Sequence, residues 1–336
     1  MFDRKSILEI KNLEIGYPIS KGIFYSLFSG INLTASKGEL IAIVGKNGIG
    51  KSTLLRSIAG LQQSKNGQVT INNKLIGNYS RSEFAGLVSF VSTEIVHVNN
   101  LSVFDLVALG RFPHTNWFGK LEEKDIVAVN NALEMVGMTS FANKNINEIS
   151  DGERQRVMIA RTLAQDTQII ILDEPTAFLD LPNKYEIVHL LNNLAKTEGK
   201  TIIFSTHDLN IAIQEVDKIW LMLADGVKEG APEDLILNET FNHLFEHTRL
   251  NFDKVKGDFK MKRQNTKKIG LIGDGIDYTW TKKALERLNF SVEKGNDSII
   301  CVTINQENWQ IKKDGNNYFA NSIYELSNIL RNTDNN

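Results

Sequence analysis

An α/β architecture, with an open parallel sheet in its larger part and a smaller α/β unit after it, is what this sequence predicts. Three observations carry that expectation. The first is a strand–glycine loop–helix passage. Leu40-Ile41-Ala42-Ile43-Val44 leads into Gly45-Lys46-Asn47-Gly48-Ile49-Gly50-Lys51-Ser52-Thr53, and Thr53 to Ala59 leads out at helical spacing. The second is an apolar run ending in two carboxylates, Ile169-Ile170-Ile171-Leu172-Asp173-Glu174. The third is a change of texture near residue 250, where Lys254, Lys256, Lys260, Lys262, Arg263, Lys267 and Lys268 collect with little apolar content between them.

The bulk numbers bound the class. A chain of 336 residues favours two domains over one. With 42% hydrophobic and 23% charged residues the balance is globular, and a formal net charge of −2 gives no basic footprint for nucleic acid. One cysteine, Cys301, excludes an internal disulfide framework; within Ile299-Ile300-Cys301-Val302 it reads as a buried, inert thiol. The first residues contain no apolar leader core, and no apolar stretch approaches the ~18 residues of a spanning helix. The expectation is a soluble chain that reaches a membrane only through a partner.

Taken in order, residues 7–15 alternate at period two and read as a strand. Residues 31–44 hold a second strand, a Lys37-Gly38 turn and the strand feeding the glycine loop. Residues 67–76 read as a hairpin turning at Asn72-Asn73. Ile126, Val129, Leu133 and Val136 recur at helical spacing, and residues 184–197 form another amphipathic helix after Pro182. Residues 201–205 and 218–223 are short buried strands. The expected division is 1–250, with a helical subdomain at about 95–160, then a partly extended connector at 251–268, then 269–336. In that last part Ile269–Ile272 and Ser298–Ile304 read as strands, and Thr279–Leu288 and Ser322–Arg331 as helices.

Residues 45–53 are a complete G-x-x-x-x-G-K-[ST] phosphate loop. Gly45, Gly48 and Gly50, with Asn47, let backbone N–H groups curl around phosphates where a Cβ would crowd the anion. The helix start adds its positive dipole end through Thr53 and its neighbours. Lys51 then reaches the β- and γ-phosphates, and the Ser52 hydroxyl ligates Mg²⁺. Asp173 and Glu174 stand at the carboxyl end of a buried strand, where open parallel sheets bind ligands. Asp173 is placed for the Mg²⁺ shell and Glu174 to polarise a water for in-line attack. Between the two motifs, Ser150 with Glu153 three residues on is a capping box ahead of a helix. That start is either structural only or a phosphate site.

At this point the chain resembles the ABC-type ATPases. The segment Ile149-Ser150-Asp151-Gly152-Glu153 is similar to their Leu-Ser-Gly-Gly-Gln signature, keeping Ser150 and Gly152 but carrying Asp151 and Glu153 in place of a Gly and the Gln. Tyr17 matches the aromatic that stacks on adenine, Phe178-Leu179-Asp180 resembles the D-loop, and His207 matches the switch histidine at the γ-phosphate. Residue by residue the alternatives are loop packing for Tyr17, a core histidine for His207 and a helix N-cap for Asp180. Where the family has a Gln that touches Mg²⁺, this chain has Thr93, followed by Glu94, so Glu94 or a water bridged by Thr93 takes its place. The resemblance covers residues 1 to about 245. It implies a P-loop NTPase fold of the ABC type, with an antiparallel β subdomain and a helical subdomain.

It implies a job as well. In the family the phosphate loop of one chain and the signature of another sandwich ATP in a head-to-tail dimer. One such set per chain means a homodimer or a dimer with a relative, with Ser150 and Gly152 completing the site of Lys51, Ser52, Asp173 and Glu174 in trans. The passage Leu101 to His114, ending Ala108-Leu109-Gly110-Arg111-Phe112-Pro113-His114, resembles ATPases that energise importers of iron–siderophore, haem and cobalamin. That reading implies membrane permease subunits, indirectly a substrate-binding protein, and a peripheral place on the cytoplasmic face. Phe112, Trp117 and Phe118 either line a groove for the permease or pack inside the subdomain. An exporter subunit and a soluble ABC ATPase are the alternatives. In the C-terminal unit, Gly270 to Tyr278 is one glycine short of a dinucleotide fingerprint and reads as a tight strand-to-helix turn. That unit is expected to stabilise the dimer or sense a ligand.

Overall fold

The computed structural model describes residues 6–20, 23–92, 100–115, 119–246, 248–254, 257–261, 267–295, 298–305 and 308–332. The chain divides into two units, Met1–Glu246 with Lys254–Asp258, and His247–Asp253 with Phe259–Asn336.

In the first unit, β1 (Ser6–Ser20) pairs antiparallel with β2 (Ile23–Ser36). β3 (Leu40–Gly45) follows the Lys37-Gly38 turn and feeds α1 (Lys51–Ile58). β4 (Asn66–Ile71) and β5 (Lys74–Leu75) form the expected hairpin, with Asn72 and Asn73 at φ 50° and 62°, the left-handed pair a two-residue turn requires. α2 (Arg81–Ala85) then leads to β6 (Val88–Val91). Three helices come next: α3 (Val103–Ala108), α4 (Glu123–Met135) and α5 (Asp151–Ala164). β7 (Ile169–Leu172), α6 (Leu181–Thr197), β8 (Thr201–Thr206), α7 (Leu209–Glu215), β9 (Lys218–Leu223), β10 (Gly226–Gly230) and α8 (Pro232–Leu237) complete the unit.

Two sheets result. The antiparallel one runs β2-β1-β4-β5; the central one runs β10-β9-β3-β8-β7-β6, parallel except at β10. Alternation along the central strands divides their side chains between two cores. Ile41, Ile43, Ile169, Ile171 and Ile203 pack with α1 and the antiparallel sheet. Leu40, Ala42, Val44, Ile170, Leu172, Ile202 and Phe204 pack with residues of α3 to α7. Burial on both faces is why these strands read as unbroken apolar runs. In register, Val44 pairs with Thr206 and Leu172 with Phe204, so β3, β7 and β8 end side by side.

The passage that resembles importer ATPases is built tightly into the helical part. A Cβ on Gly110 would stand 2.1 Å from the Arg161 carbonyl oxygen of α5, so only glycine allows that approach. Arg111 pairs with buried Asp125 of α4 at 2.9 Å and donates to the Ala164 carbonyl at 2.7 Å. His114 lies 2.9 Å from the Gln165 carbonyl. These side chains cap the C-terminal end of α5 and tie it to α4, satisfying carbonyls that a helix end leaves unpaired. Of the three aromatics expected at a permease groove, Phe112 is 71% exposed, while Trp117 and Phe118 lie outside the described residues.

Within 251–268, read from sequence as a connector, β11 (Leu250–Asp253) and β12 (Asp258–Met261) pair, with the Phe252 and Phe259 rings 5.0 Å apart. Lysine density hid two aromatic residues that give this stretch something to pack. In the second unit β13 (Lys267–Ile272), α9 (Gly275–Arg287), β14 (Phe290–Lys294), β15 (Ile300–Asn305), β16 (Asn308–Lys313), β17 (Asn316–Ala320) and α10 (Ile323–Asn332) form a five-stranded sheet of order β14-β13-β15-β16-β17 with two helices. Its core gathers Ile269, Leu271, Leu285, Val302, Ile311 and Leu326. Trp309 donates its indole N–H to buried Thr281 at 2.7 Å. Residues 273–275 form the strand-to-helix turn, and α9 starts at Gly275, one turn earlier than the expected Thr279. Cys301 is buried, and burial pushes its thiol above the usual range, as an inert thiol requires.

Candidate functional site

The ends of β3, β7 and β8 converge on one cleft of about 340 Å³, lined by Tyr17, Asn47, Gly48, Gly50, Lys51, Ser52, Thr53, Glu174 and His207. The loop between β3 and α1 supplies most of it. Gly50 caps α1 at φ 119°, a conformation closed to other residues, and this turns the first helical N–H groups toward the cleft. Lys51, only 5% exposed, folds back so that its Nζ lies 3.0 Å from the Gly45 carbonyl and 3.4 Å from that of Lys46. Burial pulls its ammonium pKa below the ordinary lysine value, and Glu174 and Asp173 oppose that pull.

A continuous hydrogen-bond chain joins the three strand ends. The Ser52 hydroxyl donates to Asp173 Oδ1 at 3.0 Å, and the Ser205 hydroxyl donates to the same oxygen at 2.7 Å. Ser205 in turn accepts the backbone N–H of Glu174 at 2.8 Å. Glu174 sits at φ 49°, a left-handed geometry rare for a residue with a side chain, so the turn after Asp173 is held by its surroundings. His207 stands between the acid and the base: Nε2 is 2.5 Å from Glu174 Oε1, and Nδ1 is 3.3 Å from Lys51 Nζ. A lysine ammonium only donates, so Nδ1 accepts and Nε2 carries the proton toward Glu174.

Tyr17 reaches the cleft from β1, with its hydroxyl 2.5 Å from Thr53 Oγ1 and 46% of the residue exposed. Its ring is thus fixed at the hydroxyl end in a residue that is nearly half exposed. The oxygen pair Ser52 Oγ and Asp173 Oδ1 suits a hard cation of the Mg²⁺ type, which binds through one or two protein oxygens and completes its shell from phosphates and water. Thr93 and Glu94 lie outside the described residues.

Among the described residues, the cleft lining does not include Ser150, Gly152 or Asp180. They gather instead around the start of α5. Ser150 caps α5 and Glu153 returns the bond, the full capping box. Asp180 caps α6, with Asn183 donating to Asp180 Oδ1 through its side chain at 2.6 Å and its backbone N–H at 3.3 Å. Gly152 lies against Asn183, where a Cβ would be 3.1 Å from its Oδ1. The signature-like segment therefore touches Asn183, which is bonded to Asp180 at the end of the D-loop-like segment, and none of Ser150, Gly152 and Asp180 lines the cleft.

One functional residue escaped the sequence reading. Ser205 reads from sequence only as the end of a buried strand, yet its hydroxyl donates to the Asp173 carboxylate and accepts the Glu174 backbone N–H. A hydroxyl placed at the end of an otherwise apolar strand, Thr201-Ile202-Ile203-Phe204-Ser205, was the available signal.

Comparison with known proteins bears on both units. Residues 28–177 match the ABC transporter family, and residues 266–331 match the iron ABC transporter C-terminal domain. An uncharacterised ABC transporter ATP-binding protein of Methanocaldococcus jannaschii is 39% identical over 272 residues, 80% of this chain and 92% of that protein. The petrobactin import ATP-binding protein of Bacillus anthracis is 37% identical over 239 residues, 71% and 86% respectively. The iron(3+)-hydroxamate import ATP-binding protein of Bacillus subtilis is 36% identical over 218 residues, 64% and 81%. Among solved structures, a dimeric ATP-binding cassette in a post-hydrolysis state, bound to ADP and phosphate, superposes with a TM-score of 0.58 at 28% identity, covering 67% of this chain and 98% of that one. At 39% and 37% identity over 92% and 86% of the length of the Methanocaldococcus jannaschii and Bacillus anthracis proteins, the chain belongs to the ATP-binding subunits of the ABC transporter family.

Proposed function

We propose that this protein is the ATP-hydrolysing subunit of an importer for an iron(III)–siderophore, working as a head-to-tail homodimer beneath membrane permease subunits. The observation that carries the catalytic part is the convergence of Lys51, Ser52, Asp173, Glu174 and His207 on one cleft. For the cargo, support comes from the C-terminal match and from relatives named for petrobactin and iron–hydroxamate import.

In this reading the loop N–H groups and Lys51 hold the β- and γ-phosphates, and Tyr17 offers its ring to the adenine. Ser52 and Asp173 hold Mg²⁺, which when bound neutralises phosphate charge. Glu174 orients and deprotonates the attacking water, and His207 contacts the γ-phosphate. Thr93 remains a candidate for the Mg²⁺ shell. Ser150 and Gly152 arrive from the partner, with Asp180 beside them. An apolar groove of about 560 Å³, lined by Leu61, Ile76, Tyr79, Phe84 and Phe90 among others, is the proposed seat of a permease helix. The proposed location is the cytoplasmic face, the side that supplies ATP; among the described residues no helix is long and apolar enough to cross a membrane. A binding protein would deliver the cargo on the far side.

The test is co-expression with candidate permeases followed by uptake in vesicles. ATP-dependent entry of ferric siderophore, abolished by Glu174→Gln, is the expected result. Outward flux, or haem or cobalamin as the only accumulated cargo, would overturn the cargo assignment. A chain that associates with none of the permeases and drives no uptake in the vesicles would overturn the transport role.

A further inference from the structure

Resting on the reading that Ser150 serves the partner's nucleotide, we propose that Glu153 is a positioning residue that withholds the Ser150 hydroxyl from that nucleotide, so that the dimer closes against a built-in restraint. Three bonds define the restraint. Ser150 donates both its backbone N–H, at 2.7 Å, and its hydroxyl, at 2.8 Å, to Glu153 Oε2, while its Oγ accepts the Glu153 N–H at 3.3 Å.

A serine hydroxyl has one proton. Here that proton points at a carboxylate, and a phosphate oxygen can only accept. Ser150 therefore serves an incoming phosphate only after leaving Glu153. The bond given up is charge-assisted, the stronger class. The backbone N–H of Ser150, and after it the hydroxyl, hold the Glu153 carboxyl below the usual carboxylate range, so it stays ionised at neutral pH. Its negative charge also occupies the positive end of α5, which would otherwise attract an anion. Asp151 adds a second carboxylate at the same end, partly offset by Arg154 at 2.9 Å.

A glutamine at this position would keep the cap, because its amide oxygen accepts the Ser150 N–H. It would remove the charge and weaken the hold on the hydroxyl. The two consequences separate the restraint from a merely structural cap: loss of cap strength lowers stability, whereas release of Ser150 favours the dimer.

The experiment uses the full chain carrying Glu174→Gln, so that ATP binds without turnover. Dimer formation is followed by light scattering against ATP concentration. Adding Glu153→Gln is expected to lower the half-maximal ATP concentration about five-fold, the scale of one unit charge about 4 Å from another in bulk water. The melting temperature of the nucleotide-free chain should stay level or fall slightly. An unchanged or raised half-maximal concentration would overturn the proposal. Ser150→Ala in the same background tests the underlying reading separately: it should weaken dimerisation strongly, and an unaffected dimer would remove the trans role and this inference with it. If Ser150→Ala acts and Glu153→Gln does not, only the restraint falls.

Discussion

The cleft at the phosphate loop and the start of α5 offer nucleotide opposite welcomes. Around the cleft, Lys51, the α1 N-terminus and a hydroxyl–carboxylate chain border a single space of about 340 Å³, with Lys51 and Ser52 resting on the Gly45 carbonyl and on Asp173. At α5, the backbone N–H and hydroxyl of Ser150 are already engaged by the protein's own Glu153. The first region borders an open space with its donors held by neutral carbonyls and a carboxylate; at the second, Ser150 sits on a carboxylate and does not line that space. Under the proposed head-to-tail dimer the difference separates affinity from control: each chain would hold ATP by itself while contact with the second copy stays conditional.

Four changes sharpen or break that contrast, in order of expected size. Glu174→Gln should leave ATP binding in place and cut turnover by about 10³-fold, the loss expected when a positioned general base goes; ordinary phosphate release would reject its role. Ser150→Ala should slow turnover by about 10²-fold, as for one lost transition-state donor, while a fluorescent ATP analogue still binds the isolated chain normally. Equal damage to both measurements would erase the distinction between the regions. Ser205→Ala should cost about 10-fold in turnover, because Asp173 and Glu174 keep their places in the chain but lose their common anchor. Smallest for activity is Asp125→Asn, which weakens the buried pair with Arg111. It should lower the melting temperature by several degrees and leave ATP binding by the cleft intact, since the pair supports α4 and α5 rather than the loop.

Much of this was legible in the chain. Gly45 to Thr53 announced itself because a phosphate loop needs glycines, a lysine and a hydroxyl at fixed spacing, and the flanking periodicities named a strand and a helix. Asp173 and Glu174 were visible because carboxylates interrupting a buried run must serve something. The capping box at Ser150 and the cap at Asp180 were equally local. What stayed hidden depends on distance along the chain. Arg111 and Asp125 meet only when α3, α4 and α5 have packed. Ser205 acquires its meaning from Asp173, on the neighbouring strand. The β11–β12 pair was masked by its lysines, because charge patterning reports solvation and says little of two phenylalanines meeting across a turn.

The contact between Gly152 and Asn183 carries a consequence for timing. Asn183 is bound to Asp180, six positions beyond Glu174 along the chain. In a head-to-tail pair, the segment that touches the partner's nucleotide would be braced against the segment that leaves its own catalytic strand. Each copy would then sense the other's occupancy through one side chain, and the two ATP sites would fire as a pair. Turnover plotted against ATP should rise as a sigmoid, and Asn183→Ala should flatten it toward a hyperbola.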